Sequence, residues 1–303
     1  MAPPIVSVIL CNYNYGRFLT QAMDSVLCQT YADLELIVVD DASSDDSRQV
    51  IASYHGDPRM RAIFHEENRG QAAGFNTGFA NSNGSLVAFL DSDDAWNPEK
   101  LTTVVGAFQH GDFSVVQHNL EVIDSRSRSV GRIHPGLSPG ITDVLREYFT
   151  QNHTGFFSST SGIVCRRSHL ERVFPLDESW RICAEVAFTR PLPVFGRVCT
   201  LKEPLGYYRI HGANCWMNTD RQRQWIENER RYVDYTNQWL ARVGCTRRIE
   251  FSRSPVYQNW SLQLLPRFHP LRIRKAARAA VLSVLPHPLK ASLLLLRRWL
   301  RGD

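Results

Sequence analysis

Short apolar segments rich in β-branched residues alternate with helical segments through the first 120 residues of this 303-residue chain. The segments between the apolar runs have the spacing or the capping residues of helices. The strand-like runs are residues 6–11, 34–39, 60–64, 85–90 and 113–117. Strands that alternate with helices need crossover connections, so this order predicts an α/β fold with a Rossmann-like, mostly parallel sheet and helices on both faces.

Polar residues follow three of the predicted strands, at the point where each strand ends. They are Asn-Tyr-Asn at positions 12–14, Asp-Asp at 40–41 and Asp-Ser-Asp-Asp at 91–94. Ligands of open parallel sheets bind beyond the carboxyl ends of the strands. We therefore expect these three polar segments to converge on one edge of the sheet and to form the functional site.

The pair Asp91 and Asp93 has the chemistry of a metal site. Two carboxylates two residues apart present hard oxygen ligands, which suit Mg²⁺ or Mn²⁺ already bound to a diphosphate. An ion held there neutralises a departing diphosphate as a Lewis acid. The alternative is a solvated turn, since Asp favours turns and helix starts. The position after an apolar strand and before a helix start at Asn97-Pro98 favours the metal site.

The acidic run from position 40 to 46 divides into two predicted roles. A carboxylate at Asp41, directly after the second strand, can accept from a nucleotide base N–H or from a ribose hydroxyl. Asp45 and Asp46 open the next predicted helix, where the helix dipole favours acidic residues. We therefore assign ligand binding to Asp41 and helix stabilisation to Asp45 and Asp46.

Four motifs in this order resemble those of the family-2 glycosyltransferases, which have the GT-A fold. They are the first strand with Asn-Tyr-Asn at 12–14, Val-Val-Asp-Asp-Ala-Ser-Ser-Asp at 38–45, Asn-Arg-Gly at 68–70 with Asn-Thr-Gly at 76–78, and Phe-Leu-Asp-Ser-Asp-Asp at 89–94. Any one of these motifs is weak, whereas four at family-like spacing are specific. The resemblance covers about residues 5–120, with weaker similarity to about residue 215.

The resemblance implies a role for each polar segment. It implies that Asp41 holds the nucleotide base, usually uracil, that Asp91 contacts the ribose and that Asp93 holds the metal. Many relatives carry Arg where this chain has Phe75, so Arg69 is a candidate for the diphosphate contact. The donor-binding residues predicted as a set are Asn12, Tyr13, Asn14, Asp41, Arg69, Asn76, Asp91 and Ser92.

The acceptor half carries a candidate for the catalytic base. Relatives place an acidic residue at the position of Glu185 to deprotonate the acceptor hydroxyl, and Asp177 and Glu178 are the neighbouring alternatives. The sequence predicts a helix over residues 180–189, and the other interpretation of Glu185 is an exposed side chain of this helix without a catalytic role.

A histidine completes the predicted metal site. His211 follows Tyr-Tyr-Arg-Ile at 207–210, a run that resembles a late family motif. It is either a third metal ligand beside Asp91 and Asp93, a diphosphate contact, or a structural histidine.

The motifs together predict a metal-dependent enzyme that moves a sugar from a nucleotide diphosphate sugar, expected to be UDP-linked, to a hydroxyl of a glycan or lipid-linked acceptor. The family implies inversion at the anomeric carbon. A nucleotidyltransferase is an alternative, but it usually has a Gly-rich loop with Lys or Arg near the first strand, and residues 11–16 contain one Gly and no Lys. A non-catalytic nucleotide-sugar-binding protein is the second alternative, because it would need Asp41 and Asp91 but no base.

The charge distribution argues against nucleic-acid binding by the body of the chain. The net charge is +5, and residues 266–303 hold nine Lys or Arg and one acid, a net of +8 that leaves residues 1–265 at −3. A nucleic-acid site would place its basic patch on the folded domain. Apolar residues accompany the basic ones in 266–303, which is typical of a helix lying in a membrane interface. A basic helical pair packed on the catalytic domain is the alternative.

We predict a nucleotide-sugar-binding half at 1–120, an acceptor-binding half of the same domain at 121–219 and a helical extension at 220–303. Seven cysteines without a Cys-x-x-Cys pair disfavour a disulfide framework or a zinc site. The chain starts without a signal-peptide pattern and has no uncharged apolar stretch of about 18 residues. We therefore expect a cytoplasmic protein, with peripheral contact to the cytoplasmic face of the membrane through 266–303.

Overall fold

The computed structural model describes residues 5–212, 221–255, 257 and 258. The strands are β1 Val6–Asn12, β2 Leu34–Asp40, β3 Met60–Phe64, β4 Leu86–Asp91, β5 Ala95–Trp96, β6 Phe113–Gln117, β7 Leu120–Ile123, β8 Ser129–His134, β9 Gly140–Thr142, β10 Ile163–Arg166, β11 Arg197–Thr200 and β12 Gly206–Arg209. The α-helices are α1 Gly16–Leu27, α2 Ser47–Ala52, α3 Gln71–Ala80, α4 Lys100–Gln109, α5 Val144–Gln151, α6 Arg167–Leu170, α7 Glu185–Thr189 and α8 Arg221–Arg242.

A large sheet forms the centre of the fold, with the strand order β3-β2-β1-β4-β10-β6-β11-β9. β1 lies between β2 and β4 and is parallel to both, and β2 is parallel to β3. β10 runs antiparallel between β4 and β6. The mixed, mostly parallel sheet confirms the predicted α/β fold. Strands from both predicted halves, 1–120 and 121–219, belong to this one sheet.

The register of the three central strands determines where the polar segments meet. Asn12 of β1 pairs with Asp40 of β2, and Cys11 pairs with Asp91 of β4. Both pairs lie at the carboxyl ends of parallel strands. The three polar segments therefore lie at one edge of the sheet, as the order of strands and helices predicts.

Burial explains why the central strands are apolar throughout. Val8 and Leu10 of β1 belong to the main core cluster, while Ile9, on the opposite face of the strand, is also fully buried. Parallel strands covered on each face have nearly continuous apolar sequences. Each such aliphatic side chain contributes about 1.5–3 kcal/mol by burial. The polar edge thus extends from a tightly packed strand rather than from a mobile loop.

A second sheet in the order β5-β12-β7-β8 brings a distant part of the chain to this edge. β12 pairs antiparallel with β5, which directly follows the acidic segment 91–94, and parallel with β7. The pairing carries Arg209 to the acidic segment, where its backbone N–H donates to Asp94 at 2.8 Å.

Helix α4 begins later than the sequence predicts. Its first residue is Lys100, whereas Asn97-Pro98 predicts a start about two residues earlier. The side-chain oxygen of Asn97 accepts from the backbone N–H of Glu99 at 3.0 Å, so Asn97 forms a turn before the helix. Local side-chain bonding of this kind competes with helix formation.

Helix α7 is also shorter than the sequence predicts, since it begins at Glu185 instead of near residue 180. The backbone oxygens of Trp180 and Arg181 accept from the N-terminal N–H groups of α3, at 3.2 and 2.9 Å. Cys183 has a φ of 53°, which a helix cannot contain. Contacts with α3 therefore override the local helical pattern before Glu185.

The first compact unit spans residues 1–250 and includes α8, so the boundary predicted at residue 220 falls inside this unit. The second unit spans residues 251–303, and the predicted basic amphipathic segment 266–303 lies outside the described residues. Within the described part of the chain, no helix is both long enough and apolar enough to cross a bilayer.

Candidate active site

Three carboxylates occupy the acidic segment 91–94 at the end of β4. Asp91 Oδ1 accepts a hydrogen bond from Gln71 Nε2 at 3.2 Å. Asp94 is buried and accepts from Ser161 Oγ at 2.6 Å. The side chain of Asp93 is only 15% exposed. The segment therefore concentrates negative charge in a small and largely buried volume.

The negative charges of this segment repel one another. Burial raises the pKa of Asp91 well above its ordinary value, and the charges of Asp93 and Glu185 raise it further. Burial also raises the pKa of Asp94, and Asp93 and Asp91 act in the same direction. A cation among these groups would offset both desolvation and repulsion. Carboxylate oxygens are the ligands that Mg²⁺ and Mn²⁺ prefer, so the side chains fit such an ion.

Two buried basic side chains hold the backbone around the acidic segment. Arg209 Nε donates to the backbone oxygen of Asp93 at 2.6 Å. Lys100 Nζ donates to the backbone oxygen of Ser161 at 2.7 Å and lies 3.4 Å from the ring centroid of Trp96. Burial lowers the pKa of Lys100 well below its ordinary value. These contacts fix the turn that presents Asp91 and Asp93.

His211 lies beside the acidic segment, as the late motif predicts. Its Nε2 is 2.9 Å from Asp93 Oδ2, and its Nδ1 is 3.3 Å from the Arg17 guanidinium. Since a guanidinium can only donate, Nδ1 accepts and Nε2 carries the proton shared with Asp93. Its ring packs against Phe18 at 4.9 Å between centroids.

The predicted three-residue metal set is not preformed. Over residues 5–212, 221–255, 257 and 258, no three His, Cys, Asp or Glu side chains have an arrangement that could hold an ion. The Nε2 atom of His211 is engaged with Asp93 instead. A site of this kind, with one or two protein carboxylates, is typical of Mg²⁺ that also binds substrate phosphates.

Asp41, which we predict to bind the nucleotide base, also holds the loop at residues 69 and 70. Its Oδ1 accepts from His65 Nδ1 at 2.7 Å and from the backbone N–H of Arg69 at 2.9 Å. Its Oδ2 accepts from the backbone N–H of Gly70 at 2.7 Å. Asp41 as a whole residue is 5% exposed, and both of its carboxylate oxygens have protein partners. The carboxylate therefore has a structural role in holding this loop, in addition to any contact with a ligand.

Asn12 and Tyr13 form the end of β1 beside Asp41. Asn12 Nδ2 donates to Asp40 Oδ1 at 2.8 Å, and its Oδ1 is buried without a protein partner among the described residues. A buried acceptor of this kind is uncommon in proteins. Tyr13 is 47% exposed and presents its ring at the surface. An unused acceptor and an exposed ring are suited to a nucleoside that offers donors and a planar base.

Two other predicted donor-binding side chains have protein partners. Asn14 Oδ1 accepts from the backbone N–H of Ser44 at 2.8 Å and so connects the loops after β1 and β2. Asn76 makes two bonds to the backbone of Leu176, at 2.7 and 2.9 Å. The structure thus gives Asn76 the role of fixing the loop before Asp177.

Arg69 and Ser92 differ in their exposure. The Arg69 guanidinium is 44% exposed and pairs with Glu178 at 2.9 Å. A contact to a diphosphate would require this exposed pair to open, which costs about 0–1 kcal/mol. Ser92 is 3% exposed within the acidic segment.

Glu185 is the first residue of α7 and lies close enough to Asp91 for its charge to raise the pKa of Asp91. Burial raises the pKa of Glu185 itself, and the Arg190 charge opposes this shift. The alternatives are differently placed. Glu178 is 43% exposed and paired with Arg69, and Asp177 accepts from the backbone N–H of Ser179 at 2.9 Å.

Sequence reasoning missed three side chains of this site. Gln71 bridges Asp91 and the start of α7, Ser161 binds Asp94, and Tyr208 lies near enough to the acidic segment for the charges there to raise its pKa beyond the effect of burial. Tyr208 belongs to the run at 207–210 that resembles a late family motif, so the sequence could have indicated it. Gln71 and Ser161 belong to no recognised motif, and only the tertiary structure identifies them.

Comparison with known proteins identifies the family. The model of glycosyl transferase family 2 matches residues 7–174, more than half of the chain. An uncharacterised glycosyltransferase of a Nostoc species is 38% identical over 267 residues, 84% of this chain and 81% of the relative. Escherichia coli WfgD, named a UDP-Glc:α-D-GlcNAc-diphosphoundecaprenol β-1,3-glucosyltransferase, is 36% identical over 41% of this chain and 48% of its own length.

Solved structures share the fold. S. aureus TarS 1–349, crystallised with UDP-GlcNAc, superposes with a TM-score of 0.57 at 18% identity, over 87% of this chain and 82% of that one. The mannosyltransferase PcManGT of Pyrobaculum calidifontis, in complex with GDP-Man and Mn²⁺, has a TM-score of 0.56 at 19% identity, over 99% and 81%. With the four motifs and the GT-A architecture, these matches establish that the chain belongs to the family 2 glycosyltransferases, enzymes that use nucleotide-sugar donors.

Proposed function

We propose that this glycosyltransferase moves a sugar from a UDP-linked donor to an acceptor hydroxyl in a single inverting displacement, with a divalent ion at Asp91 and Asp93. The observation that carries the proposal is that Gln71 bonds both Asp91 and the backbone N–H of Ala184, so the half-buried Glu185 follows directly on a residue tied to a carboxylate pair suited to a metal diphosphate. The nucleotidyltransferase alternative has no comparable use for Glu185.

Donor binding follows from the groups at the edge of the sheet. The exposed Tyr13 ring stacks on the base, and the unused Oδ1 of Asn12 accepts from the nucleoside. Asp41 acts from the same edge, where it also holds residues 69 and 70. TarS has been crystallised with UDP-GlcNAc and PcManGT with GDP-Man, so proteins that share this fold bind nucleotide sugars, which supports a donor of this class.

The chain's own residues perform the transfer as follows. The Glu185 carboxylate accepts the proton of the acceptor hydroxyl, whose oxygen forms a bond to the anomeric carbon. The bond between that carbon and the diphosphate oxygen breaks, and its electron pair leaves with the diphosphate. A Mg²⁺ or Mn²⁺ held by Asp91 and Asp93 would supply Lewis-acid neutralisation of the diphosphate. Attack from the face opposite the leaving group inverts the anomeric carbon.

The acceptor we propose is a glycan or lipid-linked glycan. WfgD, which aligns with 41% of this chain, is named for an acceptor of the diphosphoundecaprenol type. Peripheral contact of residues 266–303 with the cytoplasmic face of the membrane would bring the enzyme to such an acceptor. Each basic residue near an anionic surface contributes about 1 kcal/mol, so the net charge of +8 in this segment favours the contact.

The function is tested by incubating the purified chain with UDP-, GDP- and dTDP-sugars, with and without Mn²⁺. We expect release of UDP from one UDP-sugar, faster with an acceptor and abolished by EDTA. Asp93→Asn should bind UDP in the absence of metal but lose turnover. Binding of a UDP-sugar without any turnover would favour the non-catalytic binder, and release of pyrophosphate from a nucleoside triphosphate would favour the nucleotidyltransferase.

Membrane contact is tested by co-sedimentation with vesicles. The full chain should sediment with vesicles that contain anionic lipid, and binding should fall as salt rises, because the interaction is between exposed charges. Residues 1–265 alone should stay in the supernatant. Equal distribution of the two forms would show that 266–303 does not attach the enzyme to lipid.

A further inference from the structure

Gln71 is the first residue of α3 and joins two carboxylate-bearing elements. Its Nε2 donates to Asp91 Oδ1 at 3.2 Å, and its Oε1 accepts from the backbone N–H of Ala184 at 2.9 Å. Ala184 directly precedes Glu185. The donor faces a carboxylate and the acceptor faces an N–H group, so the network fixes the orientation of the amide. One side chain thus connects the predicted metal ligand with the start of the helix that carries the predicted base.

Backbone contacts around Gln71 make this connection rigid. The backbone N–H of Gln71 donates to Arg181 at 2.9 Å, and that of Ala72 donates to Trp180 at 3.2 Å. The Arg181 guanidinium in turn donates to the backbone oxygens of Asn68 and Arg69 at 3.0 and 3.1 Å. The loop before α3 and the loop before α7 are therefore bonded together in both directions.

We propose that Gln71 is a positioning residue that sets the distance and orientation of Glu185 relative to Asp91. The inference rests on the proposed function, in which these two carboxylates act on opposite sides of the anomeric carbon. Reactants must be held in a narrow range of geometry for efficient attack, and small displacements of a base lower the rate. A direct bridge between the two groups limits such displacements.

The residue type at position 71 matters for this role. A glutamine has both a donor and an acceptor at the end of a two-carbon stem. Glu could still accept from Ala184 but would place a second negative charge against Asp91. Met has nearly the same length and makes neither bond. The two substitutions therefore separate the contact to Asp91 from the contact to Ala184.

The test compares kcat, KM and UDP affinity for the wild type, Gln71→Met and Gln71→Glu, with donor hydrolysis as the readout if the acceptor is unidentified. For Gln71→Met we expect kcat to fall by about tenfold or more, since a hydrogen bond to a charged group is worth about that factor. UDP affinity measured by calorimetry should change less than twofold. Hydrogen exchange of the Ala184 amide should become faster in Gln71→Met and stay slow in Gln71→Glu.

A double-mutant cycle separates positioning from general damage. If Gln71 acts through Glu185, Gln71→Met in a Glu185→Gln background should lower kcat much less than it does in the wild type. Gln29→Met is the matched control, because Gln29 also bridges two elements, through Asn97 and Leu101, away from the site. It should lower the melting temperature without changing kcat.

Three results would overturn the proposal: unchanged kcat in Gln71→Met, effects of Gln71→Met and Glu185→Gln that multiply fully, or unchanged exchange at Ala184. The exchange measurement needs no turnover, so it tests the bridge even if the wild type proves inactive. An inactive wild type with every nucleotide sugar would instead contradict the proposed function.

Discussion

Burial raises the pKa of Glu185, so its carboxylate binds a proton more tightly than an exposed Glu does. This shift would make Glu185 a stronger base. Arg190 opposes the shift without cancelling it. In the proposed mechanism a base must be ionised to accept the acceptor proton, so we expect turnover to require a pH above this raised pKa. The same burial that would strengthen Glu185 as a base is therefore expected to limit activity at acidic pH.

We predict that Glu185→Gln lowers kcat by about 10²–10⁴-fold, the range of general-base catalysis, while UDP affinity stays nearly unchanged. In the wild type, kcat should fall as pH falls through the raised pKa of Glu185, and this limb should be absent from the residual rate of Glu185→Gln. Steady-state kinetics between pH 4 and 9 measure both. Full activity of Glu185→Gln would transfer the role of the base to Asp177 or Glu178.

Single residues show how far the sequence can predict this site. Strand ends and family motifs predict the positions of Asp41, Asp91 and Asp93, since these residues are fixed by the register of neighbouring strands. The partners of these residues depend on parts of the chain that no local pattern connects. Gln71 meets Ala184 across 113 positions, and Asn76 meets Leu176 across 100. The sequence therefore predicts that these carboxylates lie at one edge of the sheet, but not which side chains hold them.

The loop from β3 to α3 depends on a glycine. Gly70 has a φ of 90° and a ψ of 172°, a conformation that is essentially restricted to glycine. A Cβ atom on Gly70 would lie 2.8 Å from Arg181 Cα, a backbone atom that cannot easily move. The Asn-Arg-Gly motif is therefore required by the packing of two loops as well as by the bond from Gly70 to Asp41.

Gly70→Ala should destabilise the protein by about 1–3 kcal/mol, the cost of one strained backbone conformation, and should also lower kcat. The loss of activity follows because the clash displaces the loop that leads to Glu185. Gly56→Ala is the matched control, since a Cβ there has no neighbour within 4 Å. Denaturant unfolding measures the stability of both variants, and steady-state kinetics measure their kcat. Equal stability of the two variants would contradict the packing argument.

Elements differ in how well a local pattern predicts them. The ends of strands β1, β2 and β4 are predicted to within one residue, because an apolar run of about six residues in an α/β fold is usually a buried strand. The pattern predicts a helix from residue 180 and misplaces the start of α7, because α3 binds the backbone of residues 180 and 181. Tertiary hydrogen bonds of this kind decide helix ends, which makes ends less predictable than the presence of a helix.

The whole molecule combines a rigid sheet edge with two carboxylates that we propose to hold a divalent ion together with the donor. Asp91 and Asp93 provide two carboxylates, while His211 Nε2 is bonded to Asp93. In the proposed mechanism, the diphosphate of the donor would supply the remaining oxygen ligands. Metal and nucleotide should therefore bind cooperatively, and each should increase the affinity of the other by the same factor.

Thermal unfolding measures this cooperativity, because a ligand that binds only the folded state raises the melting temperature. We predict a small shift with Mn²⁺ alone, a moderate shift with UDP alone and, with both, a shift larger than the sum. A ligand at about 100 times its Kd contributes about 2.7 kcal/mol, so a change in Kd is readily detected. In Asp93→Asn the excess shift should disappear while the shift with UDP alone remains, because the nucleoside contacts that we propose for Tyr13 and Asn12 do not involve the metal. A full shift with Mn²⁺ alone would contradict the shared site, since it would require an ion site complete without the diphosphate.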